Sequence, residues 1–231
     1  MKRRYKTHRT LRSAVKTGRS GIRLVRQRIR QAPLIAILLV FLLGVWGGAV
    51  LYSHVHPAAI DPGAYKPLLE TIAKGESNGN YNAHYGSAGN TAVRFTDMTI
   101  AEVLQWQEEF VRQGHPSNAV GKYQIIRPTL AGLVNRLGLD PQAKFDEAMQ
   151  DRLAIALLER RGSKAFIAKD LSRKQFAANL AQEWAALPAA SGPNPEKSYY
   201  AGDGLNQARV SVDELYAALT LFEQQATTHQ E

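Results

Sequence analysis

The chain has 231 residues, 45% of them hydrophobic, a formal net charge of +9 and no cysteine. That length holds one globular domain of ordinary size with chain to spare, and the missing thiol excludes disulfides, thiol nucleophiles and Cys-ligated metals. The charge is unevenly spread: residues 1–31 carry twelve Lys or Arg and no acid, leaving 17 basic and 20 acidic side chains on the other 200, so the larger part is mildly acidic.

Residues 1–33 therefore read as a basic arm. Its stretch "GIRLVRQRIR" has the spacing of a short amphipathic helix, and beside an apolar run its partner is expected to be the anionic cytoplasmic leaflet, not nucleic acid. Leu34 to Tyr52, "LIAILLVFLLGVWGGAVLY", is nineteen residues without a charge. At about 1.5 Å per residue this matches a hydrocarbon core of ~30 Å and predicts one transmembrane helix. Trp46 and Tyr52 suit its outer interface, and the basic arm sets the N-terminus in the cytoplasm. A cleaved signal peptide is the alternative, with Gly47, Gly48 and Ala49 before the cut, but the charge-free run is longer than the roughly 7–15 residues usual there. The expected location is the inner (cytoplasmic) membrane, single-pass, with everything past residue 53 in the periplasm.

Residues 53–63, "SHVHPAAIDPG", read as a linker. His54 and His56 have no third ligand nearby, so no metal site is expected. Residues 64–231 form the outer domain, where helical periodicity dominates. Tyr65, Leu68, Leu69, Ile72 and Ala73 make one apolar face. Thr99 with Glu102 is a capping box for a second helix whose Ile100, Val103, Leu104, Phe110 and Val111 are expected inside, closed by Gly114. A third helix is expected over Thr129–Leu137, ended by Gly138. A fourth starts at an Asp146 cap, stacks Met149, Leu153, Ala156 and Leu157, and ends on Arg160, Arg161 and Gly162. Ser172 with Gln175 and Ser211 with Glu214 cap two more, burying Phe176, Leu180 and Trp184, and Val212, Leu215, Tyr216, Leu219 and Phe222. The fold class is mainly α, with at most a small β-hairpin in the polar segment 77–98, preceded by the transmembrane helix. Ser77–Met98 and Pro188–Val210 are long and irregular, which in a compact domain points to function. Their Asn, Gly and Tyr residues suit a groove for sugars.

One acid stands out in "KGESNGNYNAHYG", Lys74 to Gly86. The first apolar stripe runs 65, 68, 69, 72, 73 and then 76, so Glu76 continues a buried face. Burial disfavours the charged carboxylate and raises its pKa toward that of a general acid at neutral pH, as glycosidic cleavage requires. The plainer reading is a solvated residue at a helix C-terminus, where an acid meets the wrong end of the dipole.

"ESNGNYNA", Glu76 to Ala83, matches the E-S-x-x-N-x-N-A signature of the lysozyme-like lytic transglycosylases. "GKYQIIRPT", Gly121 to Thr129, resembles their second motif, G-x-x-Q-[IL] followed by Pro and Thr. The "FTD" at Phe95–Asp97 and "EWAALP" at Glu183–Pro188 are similar to lambda-type phage endolysins. The chain departs from the commoner bacterial enzymes in lacking A-Y-N-A-G, with "WAALPAASG" in its place, and Pro128 sits one residue late.

The resemblance implies a lysozyme-like fold and cleavage of peptidoglycan between N-acetylmuramic acid and N-acetylglucosamine. Glu76 would protonate the bridging oxygen and then take the proton of the muramic C6 hydroxyl, closing a 1,6-anhydro ring without a cofactor. Ser77, Tyr123 and Gln124 would bind or orient substrate; Asn80 and Asn82 would touch sugar or shape the loop through Asx turns; Tyr199 would stack on a sugar ring. The alternatives are a lysozyme-type muramidase, needing a second carboxylate for which Asp97 is the candidate, and a non-catalytic peptidoglycan-binding module. Asp97 has a plainer role two residues before the Thr99 cap. The expected partners are peptidoglycan strands, the membrane, and a cell-envelope assembly partner that the residues do not identify.

Overall fold

The computed structural model describes residues 59–228. The expected basic arm, the expected span at 34–52 and the start of the linker lie outside the described residues; within them no helix is long and apolar enough to cross a membrane. Seven α-helices lie among the described residues: α1 Lys66–Ser77, α2 Ile100–Arg112, α3 Arg127–Leu137, α4 Glu147–Arg160, α5 Ser163–Ile167, α6 Arg173–Ala181 and α7 Val212–Thr228. The mainly helical expectation agrees with this. The small hairpin is reduced to isolated bridges: His84 with Ser87 and with Val120, and Val120 with Ile125.

The caps explain most helix starts. Thr99 with Glu102 and Ser172 with Gln175 make both bonds of a capping box. Ser211 and Glu214 do the same, the Ser211 N–H donating to Glu214 Oε2 and the Glu214 N–H to Ser211 Oγ. Each satisfies backbone donors that the first turn leaves unpaired. α3 begins two residues earlier than expected, because Pro128 sits in its first turn, where a missing N–H is harmless. α5 was not foreseen; it follows Gly162, whose φ of 106° sets a left-handed corner. Val111, expected inside, is 44% exposed, and the inner stripe of α4 is Gln150, Leu153, Ala154, Leu157 and Leu158, with Met149 and Ala156 at its margin.

α1 packs along α7, and α6 closes against α7 from the side. Leu68, Ile72, Leu215, Leu219 and Phe222 meet there in the core, each side chain contributing roughly 1.5–3 kcal/mol by leaving water. The Tyr65 and Phe222 rings lie 5.0 Å apart. Tyr65 also carries a polar atom inward, 3.0 Å from Ser163 Oγ. Burial pushes that hydroxyl up to about 12 despite the Ser163 hydrogen bond, which pulls the other way. Ser163→Ala is expected to strand it and lower stability by about 1–3 kcal/mol. Adding Tyr65→Phe should recover part of the loss; urea unfolding of the single and double variants measures both.

Candidate active site

Glu76 lies in the last turn of α1, which ends at Asn78 with φ 54° and ψ 31°. Gly75, one residue earlier, lies where another chain segment comes close. A Cβ there would lie 2.9 Å from Ala186 Cβ and 3.0 Å from Val210 Cγ2, so only glycine lets the segment after α6 settle on the helix. That contact carries the Ala186 N–H to 3.0 Å from Glu76 Oε1. The Ala186 carbonyl accepts from the Arg209 N–H at 2.8 Å. One residue thus ties the acid to two chain segments.

Glu76 opens on a cleft of about 790 Å³. His84 to Ala88 line it, and so do Tyr200, Leu205 to Gln207, and Arg209. Both long irregular segments therefore contribute to the lining. Protein surrounds the carboxyl everywhere but at the cleft, and burial pushes its pKa from 4.5 up to about 7, against the opposing pull of the Ala186 N–H and the Arg209 charge. Near neutral pH it holds a proton it can deliver.

The second motif supplies a further part of the lining wall. Val120 to Ile125 is a tight turn, with Gly121 at φ 78° and Gln124 at φ 46°. A left-handed backbone at a non-glycine residue is costly and clusters at working sites. Gln124 lines the cleft and donates from Nε2 to the Gly121 carbonyl at 2.9 Å, leaving Oε1 for other donors. Tyr123 backs the same wall by its ring, while its hydroxyl donates away from the cleft to Asp151 Oδ1 at 2.6 Å. Burial and that carboxylate both raise the Tyr123 pKa, so the phenol is no acid or base here. Gln107, fully buried on α2, donates to the Asn118 and Ile125 carbonyls at 2.9 and 2.8 Å and holds the turn in place.

Several expected substrate contacts lie elsewhere. Ser77 is buried and donates to the Lys122 carbonyl at 2.7 Å, pinning the end of α1 to the turn. Asn80 and Asn82 do not line the cleft. Asn80 donates to the Ala88 and Asn90 carbonyls and accepts from the Asn82 N–H, an Asx turn. Asn82 Oδ1 accepts from the Thr96 N–H. Both amides staple the loop. Tyr199 is 56% exposed and off the cleft. The ring that lines it is Tyr200, whose hydroxyl donates to the Gln182 carbonyl at 2.8 Å. Asp97 also lies off the cleft, its carboxylate taken by Arg94 Nε at 2.6 Å.

Sequence reasoning missed the other cleft carboxylate, Glu183, and the three arginines Arg160, Arg161 and Arg209. Glu183, with a side chain 6% exposed, accepts from Arg160 Nη2 and Arg161 Nε at 2.7 Å each. Arg160 and Arg161 had been accounted for by the dipole of α4. Glu183 lies 22–23 residues away, and no local pattern joins it to them. Among the described residues no cluster of acids and histidines has the arrangement of a metal site.

The endolysin family model matches residues 66–210. The solved structure of bacteriophage lambda lysozyme complexed with a chitohexasaccharide is similar over 73% of this chain and 96% of that chain, at 22% identity and a TM-score of 0.44. No curated protein matches the chain.

The site makes two stability predictions. Gly75→Ala is expected to push the 184–187 segment off α1 at a cost of about 1–3 kcal/mol, read as a fall in Tm. Glu76→Gln should act in the opposite direction, and only at higher pH. Below pH 4.5 folded and unfolded chains both hold the Glu76 proton. Between 4.5 and about 7 only the folded chain keeps it, and above that the full penalty opposes folding. That penalty is on the order of 3 kcal/mol. The variant should therefore be more stable than wild type above pH 7, with the gap closing below pH 5 in melts across pH.

Proposed function

The chain belongs to the endolysin family, and from that premise we propose that it is a membrane-anchored peptidoglycan lytic transglycosylase. It cleaves the β-1,4 bond between N-acetylmuramic acid and N-acetylglucosamine and leaves 1,6-anhydromuramic ends. The observation that carries this reading is the pair of cleft carboxylates. Glu76 is raised to about 7 and faces the cleft, whereas both oxygens of Glu183 are held by arginine.

The chemistry needs one such acid. With Oε1 bonded to the Ala186 N–H, Oε2 carries the proton to the bridging oxygen as the glycosidic bond breaks. The resulting carboxylate takes the proton of the muramic C6 hydroxyl, and O6 closes on C1, so the acid ends as it began. Gln124 and the Tyr123 ring face the substrate, while Ser77, Asn80 and Asn82 keep the acid and the loop in place. A muramidase would need a second carboxylate roughly 5–9.5 Å away. Arg94 holds Asp97 outside the cleft, and no observation favours the hydrolase. The anchor rests on the charge-free run at 34–52 behind the basic arm, which sets the outer domain in the periplasm.

Digesting purified peptidoglycan with the full-length chain and weighing the products tests this. Anhydromuramic ends are expected, with a rate that falls as pH rises through about 7, and Glu76→Gln should slow release by a factor on the order of 10²–10⁴. Reducing muramic ends instead would make the enzyme a hydrolase; no cleavage at all would leave a binding module.

A further inference from the structure

The cleft lining carries three arginines, Arg160, Arg161 and Arg209, against two carboxylates, Glu76 and Glu183. Glu183 engages Arg160 and Arg161, and Arg161 also donates to the Gln182 carbonyl at 3.0 Å. Arg209 differs from both. Among the described residues no carboxylate lies within salt-bridge distance of it and its guanidinium has no hydrogen-bond partner, although it lines the cleft and is exposed. Its place is nonetheless fixed, because its N–H donates to the carbonyl of Ala186, the residue whose own N–H holds the acid. Glu76, raised to about 7, is only partly ionised near neutral pH and so offsets the Arg209 charge only in part.

We propose that Arg209 binds a carboxylate carried by the muramic residue of the strand, and so selects wall glycan over uncharged polymers of N-acetylglucosamine. This rests on the glycan-cleaving reading above. The sugar backbone of the wall is neutral: hydroxyls, ring oxygens and acetamido groups. Its carboxylates hang from the muramic lactyl ether, as the free acid or on the peptide attached through it. A planar guanidinium matches such a group with two parallel hydrogen bonds. The competing role for Arg209 is electrostatic only: a charge beside Glu76 that would act alike on every substrate.

The test compares the full-length chain in non-ionic detergent with its Arg209→Gln and Arg209→Lys variants, all in a Glu76→Gln background so that nothing is cut. Binding is measured by calorimetry to three probes: peptide-bearing strands, strands stripped of peptide by an amidase, and neutral chitohexaose. Arg209→Gln should weaken binding to carboxylate-bearing strands about tenfold, leave chitohexaose unchanged, and be partly rescued by Lys. Loss confined to peptide-bearing strands identifies a stem-peptide carboxylate; loss confined to stripped strands identifies the lactyl group. The basic arm is common to all variants and cancels from the ratio. Equal loss on all three probes, or none on the charged ones, overturns the proposal. Because the readout is binding, it stands apart from whether the wild-type chain cleaves peptidoglycan.

Discussion

The site depends on one peptide neighbourhood, Ala186 laid against Gly75. Its N–H holds the acid, its carbonyl holds the Arg209 backbone, and its methyl occupies the space that a side chain at 75 would need. Three segments far apart in sequence converge there: the end of α1, the turn after α6, and the approach to α7. The close packing and the hydrogen bond are one constraint, since the bond can form only where the backbones touch. That same approach takes water from the carboxyl, and so prepares it chemically.

The rest of the domain can be understood as support for this contact. The core between α1 and α7 is apolar and helical, which leaves the two long loops to build the walls. Loops of that length need internal bonds to hold a shape, and the asparagines provide them. Asn80, Asn82 and Asn90 bond backbone groups of the first loop between residues 82 and 96, with Asn90 donating to the Val93 carbonyl at 2.8 Å. Asparagines chosen for this purpose do not face substrate. The local costs, a half-buried acid and a left-handed Gln124, lie at the cleft, as expected where function competes with stability.

Much of the fold was legible because helices advertise themselves locally. Three capping boxes and the Asp146 cap marked four of the starts, and continuing the first apolar stripe by one step put Glu76 toward the inner side of α1. What escaped has a common cause. The Arg160–Arg161–Glu183 cluster joins two elements, and its residues carry no local signature; each arginine already had a sufficient local explanation. Tyr199 and Tyr200 are neighbours of identical chemistry, and only the backbone path decides which one turns to the cleft. Ser77 read as a sugar contact because the motif adjoins the acid, yet its hydroxyl serves the backbone. The arm and the apolar run at 34–52 carry strong compositional signals, but they lie outside the described residues.

Two carboxylates line one cleft with opposite surroundings. Around Glu183 the protein places two guanidiniums, which stabilise its charge and occupy its lone pairs. Around Glu76 burial favours the neutral form, and it outweighs the Ala186 N–H and the Arg209 charge, which favour the carboxylate. A hydrolase of the lysozyme type needs its second carboxylate ionised and available, either to attack carbon or to activate water. Both Glu183 oxygens are engaged by Arg160 and Arg161, and Asp97 is paired outside the cleft. Among the described residues, the cleft acid left free to move a proton is therefore Glu76. Chemistry in which one carboxyl gives a proton and takes one back fits such a site without any further group.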